Sequence, residues 1–271
     1  MSQLVIISLR CYISVCIQLF ISCICLGQID TSLHLIEINI VDTINQVSEL
    51  SISPNSNTAH GSLNISTALS QQANIYVKNY GAASSSTLSI RGGSASQALI
   101  TWDGLPINNP MLGVSDLSLI PSQLFGRVDI IKSGSSAALG NGAITGVIDL
   151  SNAAYYENEK PQVDVNLGIG SHGLRQAGLG TAINSGRFQF ITKLYVADSD
   201  NDFIYKLDSG QERQNTHAHF NTKAWLQTVS YRINSNQKIS LHAWLQDTHR
   251  ELPPTTTQNM SEAVQDDQLK R

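Results

Sequence analysis

Two neighbouring segments of the 271-residue sequence carry residue types that could do chemistry. Gly140, Gly142 and Gly146 approach the spacing of the glycine motif that binds dinucleotide phosphates, and the serines of residues 133–136 offer hydroxyl nucleophiles. The glycine spacing is one residue too long, and a strand pattern follows it where the phosphate-binding motif opens a helix. The serines lack the G-x-S-x-G surroundings of a nucleophile elbow. The sequence therefore predicts neither a bound dinucleotide nor a serine nucleophile.

A run of acidic residues is the candidate metal site. Asp198, Asp200 and Asp202 alternate with Ser and Asn, and oxygen side chains of this kind are the ligands that Ca²⁺ prefers. An EF-hand loop needs Gly at its sixth place, where Phe203 stands, so that type of loop is excluded. A solvated acidic loop is the alternative, and the sequence favours it. We expect no bound metal, with calcium at this run as the weaker hypothesis.

The composition limits the class of protein. Charged residues make up 14% of the sequence, against roughly 25% in an average soluble protein. The net charge of −4 does not suit nucleic-acid binding, which calls for a basic patch. The histidines after residue 150 show no ligand spacing, and no set of nucleophile, base and metal ligands is present. We therefore expect a β-rich protein that is not an enzyme, holds no cofactor and binds no nucleic acid.

The N-terminus has the pattern of an export signal. Arg10 precedes an apolar run over residues 11–26, which is shorter than the roughly 20 residues of a membrane-spanning helix. Small residues close it at Cys25 and Gly27, as at a cleavage site. We predict a cleaved signal peptide over residues 1–27, with an uncleaved anchor helix as the alternative. All four cysteines lie in this segment, so the mature chain would contain no disulfide.

A short β-prone segment follows within a polar tether, residues 28–61. A lone strand cannot bury its own face, and its natural use is to add to the edge of a partner's sheet. The alternative is that it forms the first strand of the next domain. The residues expected to contact a partner protein are Glu37, Ile38, Asn39, Ile40 and Val41.

Residues 62–150 are expected to form a small α+β domain. Glycine-enabled turns separate short strands over residues 86–91, 98–102, 128–132 and 146–150, and helical turns are expected at 63–71 and 135–139. Asp103 and Gly104 form a strong turn signal between two of these strands.

From residue 160 onward the pattern changes to long strands with alternating apolar and polar residues. Tight turns at 184–186 and 234–236 alternate with a long polar loop over 198–215 and another polar stretch after Asp247. Short turns on one side and long loops on the other are typical of an outer-membrane β-barrel. About five strands are expected before residue 249, and so few cannot close a barrel. We therefore expect residues 160–271 to be the first antiparallel strands of a transmembrane β-barrel, incomplete in a truncated product or fragment.

Three segments within residues 62–150 resemble, in order, the plug domain of TonB-dependent outer-membrane receptors. They are an Ile-Arg-Gly strand, an Asp-Gly-x-Pro turn and a glycine-rich segment that leads into a strand. The sequence departs from the family at Asp129, where Glu is usual, and at Leu139, where Tyr is common. The residues that carry the resemblance are Arg91, Gly92, Asp103, Gly104, Pro106, Gly134, Gly140 and Gly146.

The resemblance implies transport without chemistry, and vitamin B12 and iron-complex receptors look most similar. It implies a bacterial outer-membrane receptor that contacts lipid, binds a metal chelate or cobalamin, and is energised by TonB with its inner-membrane complex. Residues 37–41 would be the TonB box. Arg91 and Arg127 would pair with barrel glutamates on later strands, with solvent-facing arginines as the alternative. As a fragment, the chain itself would not transport. The competing hypothesis is a structural or adhesive outer-membrane β-protein without TonB coupling.

Overall fold

A computed structural model describes most of the chain after residue 49. The described residues are 50–53, 64–72, 75–79, 85–131, 142–152, 160–207, 210–234, 237–253 and 263–271, and all belong to one compact unit of the chain. The predicted signal peptide, residues 37–41, the expected helical turn at 135–139, Gly134 and Gly140 lie outside these residues. Within the described part, none of the helices has both the length and the apolar character needed to cross a membrane.

The predicted plug domain is built on a five-stranded sheet. Strands β4 and β7 run parallel at its centre, and the other pairs are antiparallel. A helix and a separate hairpin, β2 with β3, complete the domain. The elements are β1 (Leu50–Ile52), α1 (Ile65–Gln72), β2 (Tyr76–Asn79), β3 (Ser86–Ser89), β4 (Ala98–Trp102), β5 (Leu105–Pro106), β6 (Arg127–Ile131) and β7 (Gly146–Ser151), and the sheet order is β1-β6-β7-β4-β5. We call described residues 50–152 the plug.

The plug begins earlier than the sequence analysis expected. Strand β1 lies within the segment assigned to the tether, yet it pairs with β6, and Ile52 is buried opposite Val128. A three-residue strand surrounded by Ser and Asn gives too short a pattern to be recognised before its partner strand is known. The expected helix at α1 and the expected strands at β3, β4, β6 and β7 are confirmed.

Apolar residues on β4, β6 and β7 form the core of the plug. Every residue of β4 is buried, because β7 and β5 flank it, and the helix, the hairpin β2–β3 and a second sheet of long strands cover the sheet. Because the parallel strands β4 and β7 are buried on both faces, the sequence of Ala98–Trp102 is nearly all apolar and does not alternate between apolar and polar residues.

The second part of the unit is a sheet of six long antiparallel strands, which we call the wall. Its strands are β8 (Gln162–Ile169), β9 (Arg175–Ser185), β10 (Phe188–Ser199), β13 (Phe220–Arg232), β14 (Lys238–Glu251) and β15 (Val264–Lys270), paired in chain order. A small hairpin, β11 (Ile204–Lys206) with β12 (Glu212–Gln214), lies in the long loop between β10 and β13. About five strands were expected before residue 249, and five strands of the wall begin there, in addition to the two of the small hairpin. Strand β15 was missed, because its polar sequence shows no alternation.

The wall has an apolar outer face and a more polar inner face. Val163, Ile169 and Leu241 are 65%, 91% and 71% exposed on the outside. Lys193 and Trp244 are almost completely buried on the inside. This arrangement reverses the usual order of a soluble protein, and it confirms the apolar and polar faces that the sequence predicted for β8 and β14.

The boundary of the apolar outer face crosses the strands obliquely. The outer-face row nearest the long loops is polar from β9 to β15: Arg175, Asp198, Asn221, His249 and Asp266. In the next row, the residues on β9 and β10 are apolar, namely Ala177 and Val196. The residues of that row on β13, β14 and β15 are polar, namely Lys223, Asp247 and Gln268. In the third row β13 and β14 become apolar as well: Leu179, Leu194, Trp225 and Leu245. Strands tilted against a flat apolar layer produce such a slope.

Candidate functional site at the interface of plug and wall

The inner face of the wall holds the plug through a buried ion pair. Nη2 of Arg250 on β14 lies 2.9 Å from Oδ2 of Asp116 in the plug. Only 4% of the Arg250 side chain and 17% of the Asp116 side chain are exposed. The Arg250 guanidinium also donates to Oγ of Ser118 and to Oε1 of Gln265 on β15. One side chain therefore joins the plug to two neighbouring strands of the wall.

The second oxygen of Asp116 organises the plug itself. Its Oδ1 accepts hydrogen bonds from the backbone N–H of Ser86 at 2.8 Å, the backbone N–H of Ser118 at 3.0 Å and the hydroxyl of Ser118 at 2.7 Å. Asp116 thus caps the 3-10 turn Leu117–Leu119 and fixes the start of β3. The wall consequently holds the plug at a residue on which the local plug fold depends.

Backbone carbonyls of the plug provide further polar contacts to the wall. Nε2 of Gln246 on β14 donates to the carbonyl of Leu119. Arg271 donates from Nη1 to the carbonyl of Pro106 at 3.1 Å and from Nη2 to that of Ile107 at 3.0 Å. These bonds link the wall to backbone groups beside the turns of the plug.

An aromatic cluster fills the centre of the interface. Trp244 of the wall packs edge-on against Trp102 and Phe125 of the plug, with ring centroids 5.6 and 5.5 Å apart. Trp102 also meets the edge of His242, with a centroid separation of 5.2 Å. All three large rings are buried, so this cluster forms an apolar contact between plug and wall.

Carboxylates of the plug face the wall beside this cluster. Oδ2 of Asp103 lies 3.4 Å from Nδ1 of His242. Burial raises the pKa of the Asp103 carboxyl to about 7, the nearby Asp149 adds to the rise, and Lys238 opposes it. Burial also raises the pKa of Asp149, although hydrogen bonds from the Thr101 hydroxyl and the Gly104 N–H oppose that shift. The Asp103 carboxyl, which faces His242 of the wall, therefore titrates near neutral pH.

Close packing at Gly178 forms another contact. A Cβ added to Gly178 on β9 would lie 2.0 Å from Oε1 of Gln123 in the plug. Nε2 of Gln123 donates to Gln176, which also accepts from the hydroxyl of Tyr195. The absence of a side chain at residue 178 lets the plug approach the wall closely.

Arg91 and Arg127, the two arginines predicted to contact the barrel, both have described positions in the plug. Arg127 pairs with Asp129 of its own sheet at 2.7 Å, and 43% of its side chain is exposed. Arg91 is exposed in a turn with a φ of 51°. Their pairing with glutamates on later strands stays a prediction. The buried ion pair that the structure does show has the opposite polarity, an arginine on the wall and an aspartate in the plug.

The motif residues of the plug serve its turns and close packing. Gly92 and Gly104 have φ values of 74° and 81°, which glycine adopts without strain. A Cβ on Gly146 would lie 2.7 Å from the carbonyl oxygen of Ile131, so only glycine fits there. Asp103 occupies the turn before Gly104, and Pro106 lies in β5.

The acidic run does not converge on one point. Oδ2 of Asp198 accepts from Asn221 and lies 3.1 Å from His219, whereas Asp202 lies 3.6 Å from His172. Asp200 approaches Gly173 instead. In the described part of the chain, no group of three His, Cys, Asp or Glu residues has the geometry of a metal site. The calcium hypothesis therefore gains no support.

Sequence reasoning could not have found the pair of Asp116 and Arg250. Asp116 had the local signal of a turn residue, and Arg250 stands at the end of a strand beside a polar loop. Which wall residue meets which plug residue depends on the register of β14 and on how the plug sits against it. Neither is encoded in the spacing of nearby residues.

Comparison with known families gives a match to the plug region. A family described as TonB-dependent Receptor Plug Domain matches residues 41–147. The vitamin B12 transporter BtuB of Vibrio vulnificus (strain YJ016) is 31% identical over 86 residues, which cover 32% of this chain and 14% of that protein. The chain thus spans a small part of this curated relative.

Solved structures of outer-membrane receptors share the fold of plug and wall. The copper transporter OprC has a TM-score of 0.59 and 19% identity, over 74% of this chain and 31% of that one. The pyoverdine receptor FpvA from Pseudomonas aeruginosa PAO1 has a TM-score of 0.56 and 18% identity, over 74% and 27%. The predicted fold class, a plug followed by antiparallel strands like those of a receptor barrel, is confirmed, with the wall as an open sheet.

Proposed function

We propose that this chain, whose residues 41–147 are a TonB-dependent receptor plug domain, is part of an outer-membrane receptor for energy-coupled uptake of a metal chelate or cobalamin. Its relatives include a transporter of vitamin B12, a transporter of copper and a receptor bound to pyoverdine.

The observation that carries the proposal is a plug packed on the inner face of a wall whose outer face is apolar. The wall packs Trp244 against the plug and exposes Val163, Ile169 and Leu241 outward. Apolar side chains on the outside of long tilted strands suit lipid. A plug on the other side suits a pore that must stay closed until a ligand arrives.

The outer face also supports an orientation in the membrane. Phe188 and Tyr231, with ring centroids 4.8 Å apart, lie beside the short turn at Gly186 and Arg187, and Phe190 stacks next to them. Aromatic residues of barrels gather at the membrane interfaces, and short turns face the periplasm. We therefore assign this end of the wall to the periplasmic side and the long loops to the exterior.

TonB coupling is the finer part of the proposal. Residues 37–41 are the proposed TonB box, because they are β-prone and lie in a polar stretch before β1. A partner that pulls on this segment would act next on β1, an edge strand held to β6 by three residue pairs. The proposed route of force therefore enters the plug at a short edge strand.

An uptake assay tests the function. The gene would be expressed in a strain without its own receptors for cobalamin and ferric chelates, with and without TonB. We expect TonB-dependent accumulation of radiolabelled cyanocobalamin or of a radiolabelled ferric chelate. Correct insertion in the outer membrane without uptake of any chelate, in either strain, would instead support the structural or adhesive alternative.

A further inference from the structure

The turn between β4 and β5 points a carboxyl group at the wall. Asp103 has a φ of 47° and Gly104 a φ of 81°, so two left-handed residues in succession make the turn. This geometry places Oδ2 of Asp103 3.4 Å from Nδ1 of His242 on β14. The Thr228 hydroxyl on β13 lies 3.2 Å from the same nitrogen.

Both groups are held in place and mostly screened from water. The Asp103 side chain is 23% exposed and the His242 side chain 17%. The edge-on contact between His242 and Trp102 fixes the imidazole. One proton can bind between a carboxyl group and an imidazole that face one another with little water around them.

The hydrogen bonds and charges around the two carboxyl groups, Asp103 and Asp149, determine which of them carries the proton. Asp149 on β7 accepts from the Thr101 hydroxyl and the Gly104 N–H, and such donors favour its ionised form. Lys238 at the start of β14 also acts on Asp103. Asp129, which lies opposite Asp149 in the register of β6 and β7, and its partner Arg127 act on Asp149. Asp103 has no comparable donors among the described residues, so it is the carboxyl that takes up a proton.

We propose that Asp103 and His242 form a proton-binding site between plug and wall, in which the Asp103 carboxyl donates its proton in a hydrogen bond to Nδ1 of neutral His242. Loss of that proton to water leaves a carboxylate beside Asp149. The contact then requires the tautomer of His242 that carries its proton on Nδ1. A hydrogen bond is kept, but an additional negative charge is now buried in the interface.

The consequence rests on the proposed function. At acid to neutral pH the site would fasten the plug to the wall near the periplasmic end. At alkaline pH the additional negative charge would loosen the same contact, and the plug would move more readily against the wall. The site would thereby make the attachment of the plug to the wall depend on the pH of the periplasm.

Infrared difference spectroscopy tests the site directly. The receptor, as its gene encodes it, would be purified in detergent from outer membranes, and spectra taken between about pH 5.5 and about pH 8.5 would be compared. We expect the carbonyl stretch of one buried protonated carboxyl, titrating near pH 7 and lost in Asp103→Asn. His242→Gln should shift the frequency of this band, because it replaces the hydrogen-bond acceptor. Asp202→Asn, which alters another His–Asp pair in an external loop, serves as the control and should leave the band unchanged.

Hydrogen exchange of plug amides in the same samples provides the functional readout. In the natural protein, amide exchange in β4 and β5 should speed up as pH rises by more than the intrinsic chemical rate does. In Asp103→Asn it should follow the intrinsic rate alone. A correctly inserted receptor without the carboxyl band would overturn the proton site and leave the proposed function standing. Protein that never reaches the outer membrane would contradict the proposed function instead. A band that survives in Asp103→Asn would assign the proton to another carboxyl and overturn the proposal.

Discussion

Arg250 and Asp116 are 134 positions apart in the sequence and form a 2.9 Å ion pair that joins wall and plug. The two carboxylate oxygens of Asp116 have different partners. Oδ2 meets the guanidinium, and Oδ1 accepts three hydrogen bonds within the plug. The seating of the plug on the wall and the local fold of the plug are therefore linked through one carboxylate.

Loss of one partner of this pair should loosen the plug. We expect Asp116→Asn to destabilise the receptor by about 3–5 kcal/mol, because it leaves the Arg250 charge buried without a counter-charge. Urea unfolding in detergent, followed by tryptophan fluorescence, would measure the change. Glu212→Gln is the matched control, since its ion pair with Lys206 is largely exposed and should contribute less than about 1 kcal/mol. Equal effects of the two substitutions would contradict the role of the buried pair.

Alanine substitution should destabilise the protein more at Gly146 than at Gly178. At Gly146 an added Cβ would meet the backbone oxygen of Ile131, which cannot move without distorting β6. At Gly178 it would meet the end of the Gln123 side chain, which can rotate away. We expect Gly146→Ala to cost about 1–3 kcal/mol and Gly178→Ala less, with the loss at Gly178 reversed by adding Gln123→Ala. Thermal unfolding of the single and double variants would test this order.

The sequence predicted the elements better than the contacts between them. The alternation of Val163, Val165 and Leu167 identified β8, because one face of the strand meets lipid and the other the interior. Strand β15 gave no such signal, since on the oblique boundary it lies beyond the apolar layer and carries polar residues on both faces. The interface site was not predictable, because its residues come from elements far apart in the sequence.

The pKa of Asp103 gives the stability of the protein a defined dependence on pH. In the folded protein this pKa is raised from an ordinary value of 3.8 to about 7, so the folded state binds the proton more tightly than the unfolded state. The resulting stabilisation is complete below about pH 4 and is lost as pH rises through about 7. We expect the urea midpoint to fall between about pH 5 and about pH 8, and to fall less in Asp103→Asn. A midpoint that rises with pH in the natural protein, relative to the variant, would have the wrong sign.

The proposed TonB box can be tested without affecting the plug. Ile38→Pro removes a backbone donor from residues 37–41 and should prevent their addition to a partner's sheet. We expect uptake to fall to the level of a strain without TonB, while binding of the chelate to whole cells is unchanged. Asn57→Pro, in the polar stretch after β1, is the control and should keep uptake. Normal uptake by Ile38→Pro would remove the assignment.

A charge on the outer face should distinguish a wall that meets lipid from one that meets water. Leu241 is 71% exposed, so in a soluble protein its replacement by Arg would cost little. On a lipid-facing barrel strand the same replacement costs roughly 2–4 kcal/mol at the middle of the bilayer and less toward the interfaces. Gln268 also points outward, but it lies on β15 beyond the oblique boundary of the apolar layer. We therefore expect Leu241→Arg to reduce the amount of folded, heat-modifiable receptor in the outer membrane and Gln268→Arg to leave it unchanged. If both variants fold as well as the natural protein, the apolar face does not contact lipid at Leu241.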